Sequence, residues 1–157
     1  MKRKIIAVMS IFLMFLIVHE YFVHGSNSEE IYGIDEEIVY DLISRRAEIM
    51  NRGLYSEKDI DCIIMDLEDI EGGALLKDDS KFLQEARANP TDYPLVTELE
   101  VVKMKLLSTN INTYKLKVQI NWNMLNATHT SKENVEYFLE VQHHKGRLFL
   151  MHLSPVE

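Results

Sequence analysis

The chain of 157 residues is 46% hydrophobic, 27% charged and 9% aromatic, with a net charge of −8, an ordinary globular composition that excludes collagen-like, mucin-like and wholly disordered chains. At ~100–200 residues per domain there is room for one core, and none for a two-domain enzyme with a separate cofactor module. Ser26–Pro94 carries 18 Asp/Glu against 7 Lys/Arg, while Leu95–Glu157 carries 6 against 7; an acidic first half repels phosphate backbones, so nucleic acid is not an expected partner.

Lys2, Arg3 and Lys4 precede an apolar run from Ile5 to Val18 broken only by Ser10, the order of an export signal. These residues alone span ~21 Å as a helix, short of the ~30 Å hydrocarbon layer. A membrane span therefore recruits residues 19–23, with Tyr21 and Phe22 at the headgroup interface. The preferred reading is an uncleaved single-pass anchor in the cell membrane, over residues 5–23, with the rest of the chain outside the cytoplasm. The alternative is a signal peptide over residues 1–25, cleaved near Gly25, and a secreted domain. A lipoprotein is excluded because the single cysteine, Cys62, lies far from the signal. One cysteine also rules out an internal disulfide, so stability must come from packing; Cys62, among Ile60, Ile63 and Ile64, reads as a buried, inert helix position.

Apolar residues recur with a helical period at Ile31, Ile34, Ile38, Val39, Leu42, Ile43, Ala47 and Met50. This predicts a helix that starts near Ser28 or restarts at Asp35, carries Arg45, Arg46 and Arg52 towards its end, and stops at Gly53. A second helix is expected with Ser56 as cap and Asp59 in a capping box, burying Ile60, Ile63, Ile64 and Leu67 and ending at Gly72-Gly73. A third is expected over Asp79–Ala88, closed by Pro90 and Pro94.

From Leu95 the period becomes two. Thr113–Leu125 places Tyr114, Leu116, Val118, Ile120, Trp122 and Met124 on one face, and Lys115, Lys117, Gln119, Asn121 and Asn123 on the other; the lysines mark the latter as a solvated sheet surface. In the strand before it, over Thr97–Leu107, the apolar phase slips by one residue at Val101-Val102, which predicts a bulge. A third strand carries Val135, Tyr137, Leu139 and Val141 on its apolar face. A tight connection at His143-His144-Lys145-Gly146 leads to a fourth strand, Arg147–Leu153, and Pro155 ends the sheet.

The expected fold is α+β: a single domain over residues 26–157, with helices over 29–88 packed in a cone-like, curved four-stranded antiparallel sheet over 95–153, preceded by the signal or anchor helix. The element order, with the endings Tyr137-Phe-Leu-Glu-Val, Lys145-Gly-Arg-Leu-Phe-Leu and Ser154-Pro-Val, resembles the nuclear-transport-factor-2-like and cystatin-like superfamily, especially its small exported or membrane-anchored bacterial members of unassigned function. The resemblance covers Glu29–Glu157 and is one of pattern, without a catalytic motif. It implies a cone whose open end holds a ligand or is filled by side chains, and nothing about chemistry.

The candidate sites are few. The acids from Asp59 to Asp79 do not follow a calcium-loop spacing and read as the solvated face of the second helix. Adjacent His143 and His144 diverge, which disfavours a shared metal ion, and His129 falls in a polar loop. Asn126-Ala127-Thr128 has the form of a glycosylation sequon. Some enzymes of the resembled family abstract protons beside a carbonyl; the matching raw materials are Tyr32, Tyr40, Asp41, Tyr114 and Tyr137, which form no motif. A ligand pocket, if open, is expected to involve Tyr114, Trp122, Tyr137 and His152, the last by its shared parity with Leu148 and Leu150. No catalytic residue, metal site or cofactor is assigned. Three functional readings follow in order: a membrane-tethered, non-enzymatic protein-interaction or assembly module, with a protein partner or self-association; a small-ligand-binding cone; and an isomerase- or dehydratase-like enzyme on the same cone.

Overall fold

The computed structural model describes residues 34–156; the expected signal or anchor over residues 5–23, the cleavage position at Gly25, and Tyr32 lie outside them. No described helix is long and apolar enough to cross a membrane.

Helix α1 spans Glu36–Tyr55. Asp35 caps it by accepting a hydrogen bond from the Ile38 amide at 2.9 Å, and Glu36 and Glu37 in the first turn and Arg52 in the last complement the helix dipole. The helix does not stop at Gly53 as the sequence suggests. Gly53 is a point of close approach instead: a Cβ there would lie 2.6 Å from Leu83 Cδ2. Helix α2 spans Ile60–Glu68 and is capped by Asp59, whose carboxylate accepts from the Asp61 amide at 3.1 Å; Ser56, the expected cap, lies outside it. Helix α3 spans Gly73–Ala88 and starts six residues earlier than expected. Its buried stripe is Leu75, Asp79, Leu83 and Ala86, and the acid inside that stripe masks its periodicity. Arg87 fastens the helices together, donating to the carbonyls of Gly53 at 2.8 Å, Ser56 at 3.1 Å and Lys58 at 2.6 Å. It thereby satisfies acceptors that the end of α1 leaves open.

Strands β1 (Leu95–Asn110), β2 (Thr113–Leu125), β3 (Thr130–His144) and β4 (Arg147–Pro155) form one sheet in sequence order, each antiparallel to the last. The alternation expected along β2 holds: Leu116, Val118, Ile120 and Trp122 are buried against the helices. Across the ladder Leu116 faces Leu139 and Leu106, Val118 faces Tyr137 and Met104, and Trp122 faces Leu99. The expected bulge lies between Val101 and Lys103, and two more occur between Val96 and Glu98 and between Leu106 and Ser108. Bulges strengthen local twist and bend a long strand, which is how β1 follows the helices. The β3–β4 turn has Lys145 at φ 49° and Gly146 at φ 79°, the two positive φ angles of a type I′ hairpin.

Each outer strand has a guard. The edge of β4 is covered by Ile70–Gly72: the Leu150 amide donates to Ile70 O at 2.8 Å and the Gly72 amide to Leu150 O at 2.9 Å. At the start of β1 the Asn51 side chain donates to Val96 O at 2.7 Å and accepts from Val96 N at 3.1 Å. The space between helices and sheet is occupied by aliphatic side chains, among them Ile43, Ile63, Leu67, Ile70, Leu83, Leu116, Ile120, Leu139 and Leu150, all essentially inaccessible to solvent.

Candidate functional site

Of the four residues the sequence offers as pocket-lining, two meet. Trp122 on β2 and Tyr137 on β3 stack edge to face on the apolar side of the sheet, centroids 6.1 Å apart at 81°. Burial raises the Tyr137 pKa above its usual value, and the nearby Trp122 N–H and Arg46 charge act in the opposite direction. The Trp122 Nε1 is itself buried without a hydrogen-bond partner among the described residues. Tyr114 shares their face but pairs with Thr109 and Val141 at the other end of β2, eight residues and ~26 Å along the strand from Trp122.

His152 is on the opposite side of the sheet. The register of β3 with β4 runs Glu140 to His152 and then Val141 to Leu150, so Met151 is an extra residue and the parity set by Leu148 and Leu150 is reversed beyond it. His152 is exposed, with Nε2 2.8 Å from Ser154 Oγ. His129, His143 and His144 are also exposed. Among the described residues no group of three or more His, Cys, Asp or Glu converges in a metal-holding arrangement. Cys62 is half-buried, less enclosed than its neighbours suggest.

Inside the fold lies a polar cluster that the sequence reading overlooks. Arg46 of α1 makes a forked pair with Asp79 of α3, Nε to Oδ2 at 2.7 Å and Nη2 to Oδ1 at 2.8 Å. Glu71, 2% exposed, places Oε1 3.0 Å from the same Arg46 Nε. That N–H is aimed at Asp79, and neither Glu71 oxygen has hydrogen-bond geometry with a described donor. Burial, foremost, and the negative charge of Asp79 raise the Glu71 pKa to about 8 against the pull of Arg46. Glu71 is therefore held as the neutral acid at pH 7. The acidic stretch is thus not one solvated face. Glu71 and Asp79 are buried, Asp66 pairs with Arg52 at 3.0 Å and Lys58 at 3.1 Å, and Asp69 pairs with Arg147 at 3.0 Å; Asp59, Asp61, Glu68 and Asp78 remain exposed. Arg46 sits four residues before Met50 and carried a signal of its own, being three residues after buried Ile43 and one before buried Ala47.

Two depressions open on the outer face of the sheet and its rim. One, of about 960 Å³, lies between the start of α1 (Glu36, Glu37, Tyr40) and the amide- and acid-lined end of the sheet, including Glu98, Glu100 and Asn121. There Asn123 donates to Glu98 at 2.6 Å and Asn121 to Glu100 at 3.0 Å, while Asn134 donates to Asn121 and Gln119 donates to Asn134. The other, of about 450 Å³, is lined by Lys103, Lys105 and Lys117 around Leu107 and Phe138. Neither reaches the Arg46–Glu71–Asp79 cluster or Trp122. Chemically, the interior cluster joins α1 to the α2–α3 connection through Glu71 and to the body of α3 through Asp79, and the outer face offers charge, amides and exposed apolar side chains.

No protein-family model matches the chain, and no curated protein matches it. Solved structures do. The intermembrane space region of the chloroplast protein ARC6 is 14% identical with a TM-score of 0.55, over 78% of this chain and 97% of that one. A protein from Novosphingobium aromaticivorans described as an aromatic ring hydroxylase is 16% identical, TM-score 0.45, over 75% and 90%. An IcmL-like type IV secretion system protein from Legionella pneumophila is 14% identical, TM-score 0.44, over 80% and 96%. At such identities the first likeness establishes a shared fold alone. Three helices against a curved four-stranded antiparallel sheet are the α+β architecture that the element order implied.

Proposed function

We propose that this chain is a membrane-tethered, non-enzymatic protein-interaction or assembly module working outside the cytoplasm. The observation that carries the reading is the filled interior. Where a ligand-binding or catalytic cone needs an open apolar cavity with convergent polar groups, aliphatic side chains occupy the space, and the buried acid Glu71 is shut away from the two outer depressions. The basic-then-apolar start of the sequence supports the tether, residues 5–23 serving as anchor. The intermembrane space region of ARC6, which shares the fold, is by its name a domain placed between membranes, a setting in keeping with this one.

Native mass spectrometry of the protein released from host membranes tests the reading. Bare subunits or protein complexes are expected, at a mass that retains residues 1–25. Extra small-molecule mass that disappears on denaturation would sink it in favour of a ligand-binding cone or an enzyme, and recovery only from the soluble exported fraction without residues 1–25 would replace the anchor by a cleaved signal.

A further inference from the structure

Two hairpin turns, Ile111-Asn112 between β1 and β2 and Lys145-Gly146 between β3 and β4, lie at one end of the sheet. The His143 amide donates to Asn112 O at 2.7 Å and holds them side by side. Ile111 crowns the first turn, 93% exposed, and Leu107, the extra residue of the last β1 bulge, is 46% exposed behind it. Around them stand Lys103, Lys105, Lys115 and Lys117 on the outer face and Lys145 in the second turn. The acids of this half of the face are already engaged: Glu136 pairs with Lys117 at 2.7 Å and Glu140 with Lys115 at 3.4 Å. Among the described residues Lys103, Lys105 and Lys145 form no ion pair. Lys105 stands directly opposite Lys117, a like-charge pair that costs stability unless an anion comes between them. Past the bulge at Val102 the outward residues of β1 are acids, Glu100 and Glu98, so the face is polarised along its strands.

We infer that this double-hairpin end docks on the anionic surface of a lipid bilayer, Ile111 entering the headgroup layer and the lysines meeting its negative charge. The inference rests on the tethered-module reading above and adds a second membrane contact to it. A cluster of four to eight cations close to an anchor is the composition that anionic lipid surfaces attract. A large apolar side chain on a projecting turn, rimmed by lysines whose stems snorkel, is the further ingredient of an interfacial contact. An acidic protein segment would match the lysines and leave the isolated apolar tip unsatisfied; a bilayer is charged at its surface, apolar beneath, and yields to a convex tip. The acids at the other end of the face are repelled by the same surface, so the polarity sets one orientation, turns towards the lipid. Chain length makes a weak contact sufficient. The expected anchor ends ten residues before Ile34, and ten residues reach at most ~36 Å, which keeps the domain beside its own bilayer at an effective concentration of order mM.

The test uses the full chain carrying Cys62→Ala and an environment-sensitive fluorophore on Asn112→Cys, reconstituted into vesicles of phosphatidylcholine alone or with about 30% phosphatidylglycerol. A label on Ala127→Cys, in the loop at the other end of the sheet, is the control, and circular dichroism checks folding. At about 50 mM salt the label at 112 should shift to the blue and become several-fold less accessible to a water-soluble quencher in the anionic vesicles alone, and the label at 127 should not. Each lysine near an anionic surface is worth about 5-fold in binding, so Lys103→Glu/Lys105→Glu should lower the docked population by ~30-fold or more, and Ile111→Asp should abolish the shift. No shift in anionic vesicles, an equal shift in neutral ones, or a shift that survives the lysine reversal would overturn the assignment. So would a shift that grows with protein per lipid, which means a second copy, or one that polyphosphate produces as fully in detergent, which means a soluble polyanion. Flotation at about 500 mM salt, where screening falls to ~4 Å, separates this contact from the tether. Protein that stays with the vesicles there while the label at 112 reports water at low salt refutes the surface and leaves the tether standing. Protein that floats with anionic vesicles at low salt alone has the surface without the tether.

Discussion

Replacing Glu71 by glutamine should flatten the pH dependence of stability. The carboxyl is fully enclosed beside Asp79, its pKa raised to about 8 from an ordinary 4.5, so between those values it holds a proton in the folded chain and none in the unfolded one. The stabilisation is complete below about 4.5 and is lost as pH rises through the folded pKa. Inside that window one proton is worth ~1.4 kcal/mol per pH unit, so the wild type should lose ~2–3 kcal/mol between pH 5 and 7 on this account. For a domain of this size that corresponds to ~8–10 °C in Tm. Glutamine keeps the shape and supplies N–H groups to Asp79 and a carbonyl to Arg46 without titrating. The assay is thermal unfolding of both proteins by circular dichroism across pH 4.5–8, read as the difference in Tm. Asp66, whose pKa its bond to Lys58 lowers, acts in the opposite sense: its small contribution is present above its unfolded value and is lost as pH falls through the folded one. It is common to both proteins and cancels in the difference. A difference that rises with pH supports the buried neutral acid. Parallel curves, or a variant equally destabilised at every pH, would show that Glu71 is ionised in the fold and that Arg46 serves both carboxylates.

Arg46→Met should cost ~3–5 kcal/mol in urea unfolding at pH 7, because it strands the buried Asp79 charge, and the penalty should shrink when Asp79→Asn is added; additive costs would refute the pairing. Gly53→Ala should destabilise by ~1–3 kcal/mol, as its Cβ would sit 2.6 Å from Leu83 Cδ2. Helix propensity alone argues for a gain of ~1 kcal/mol, so the sign of the change in urea midpoint decides between packing and propensity. Trp122→Ala should cost ~3–5 kcal/mol by emptying the contact with Tyr137, read by thermal unfolding, while His152→Ala should stay within ~0.5 kcal/mol; a large effect of the histidine would mean the register beyond Met151 is wrong.

What the sequence could reveal depended on whether polar residues marked the phase of each element. Along β2 the alternation from Tyr114 to Met124 is unbroken, and both bounds and both faces are legible. The bulge at Val102 is legible because Val101-Val102 breaks the alternation in view. The one at Met151 is not: Leu148-Phe149-Leu150-Met151-His152-Leu153 is apolar at nearly every position, so no polar residue records where the parity turns over, and His152 is assigned to the wrong face. Asp79 hides the first half of α3 for the converse reason, an acid in a buried stripe being compensated by an arginine 33 residues away. No local signal reports a partner at that distance. The charge order of β1 was present in the sequence, but only the pairing with β2 shows that Glu98, Glu100, Lys103 and Lys105 share one face despite the extra residue between them.

The order of the strands bears on how the chain comes to its fold. Every strand neighbours the one before it, so the sheet can grow by successive hairpins, each closing a short loop at low entropic cost. A chain that emerges N-terminus first has its helices out before any strand and then zips the sheet one hairpin at a time. The contact between Ile70–Gly72 and Leu150 is different in kind, closing a loop of about eighty residues, and it can form only when the last strand has arrived. That seam ties the connection before α3 to the last strand, and it encloses Glu71 between Ile70 and Leu150, which are as buried as any side chains of the core.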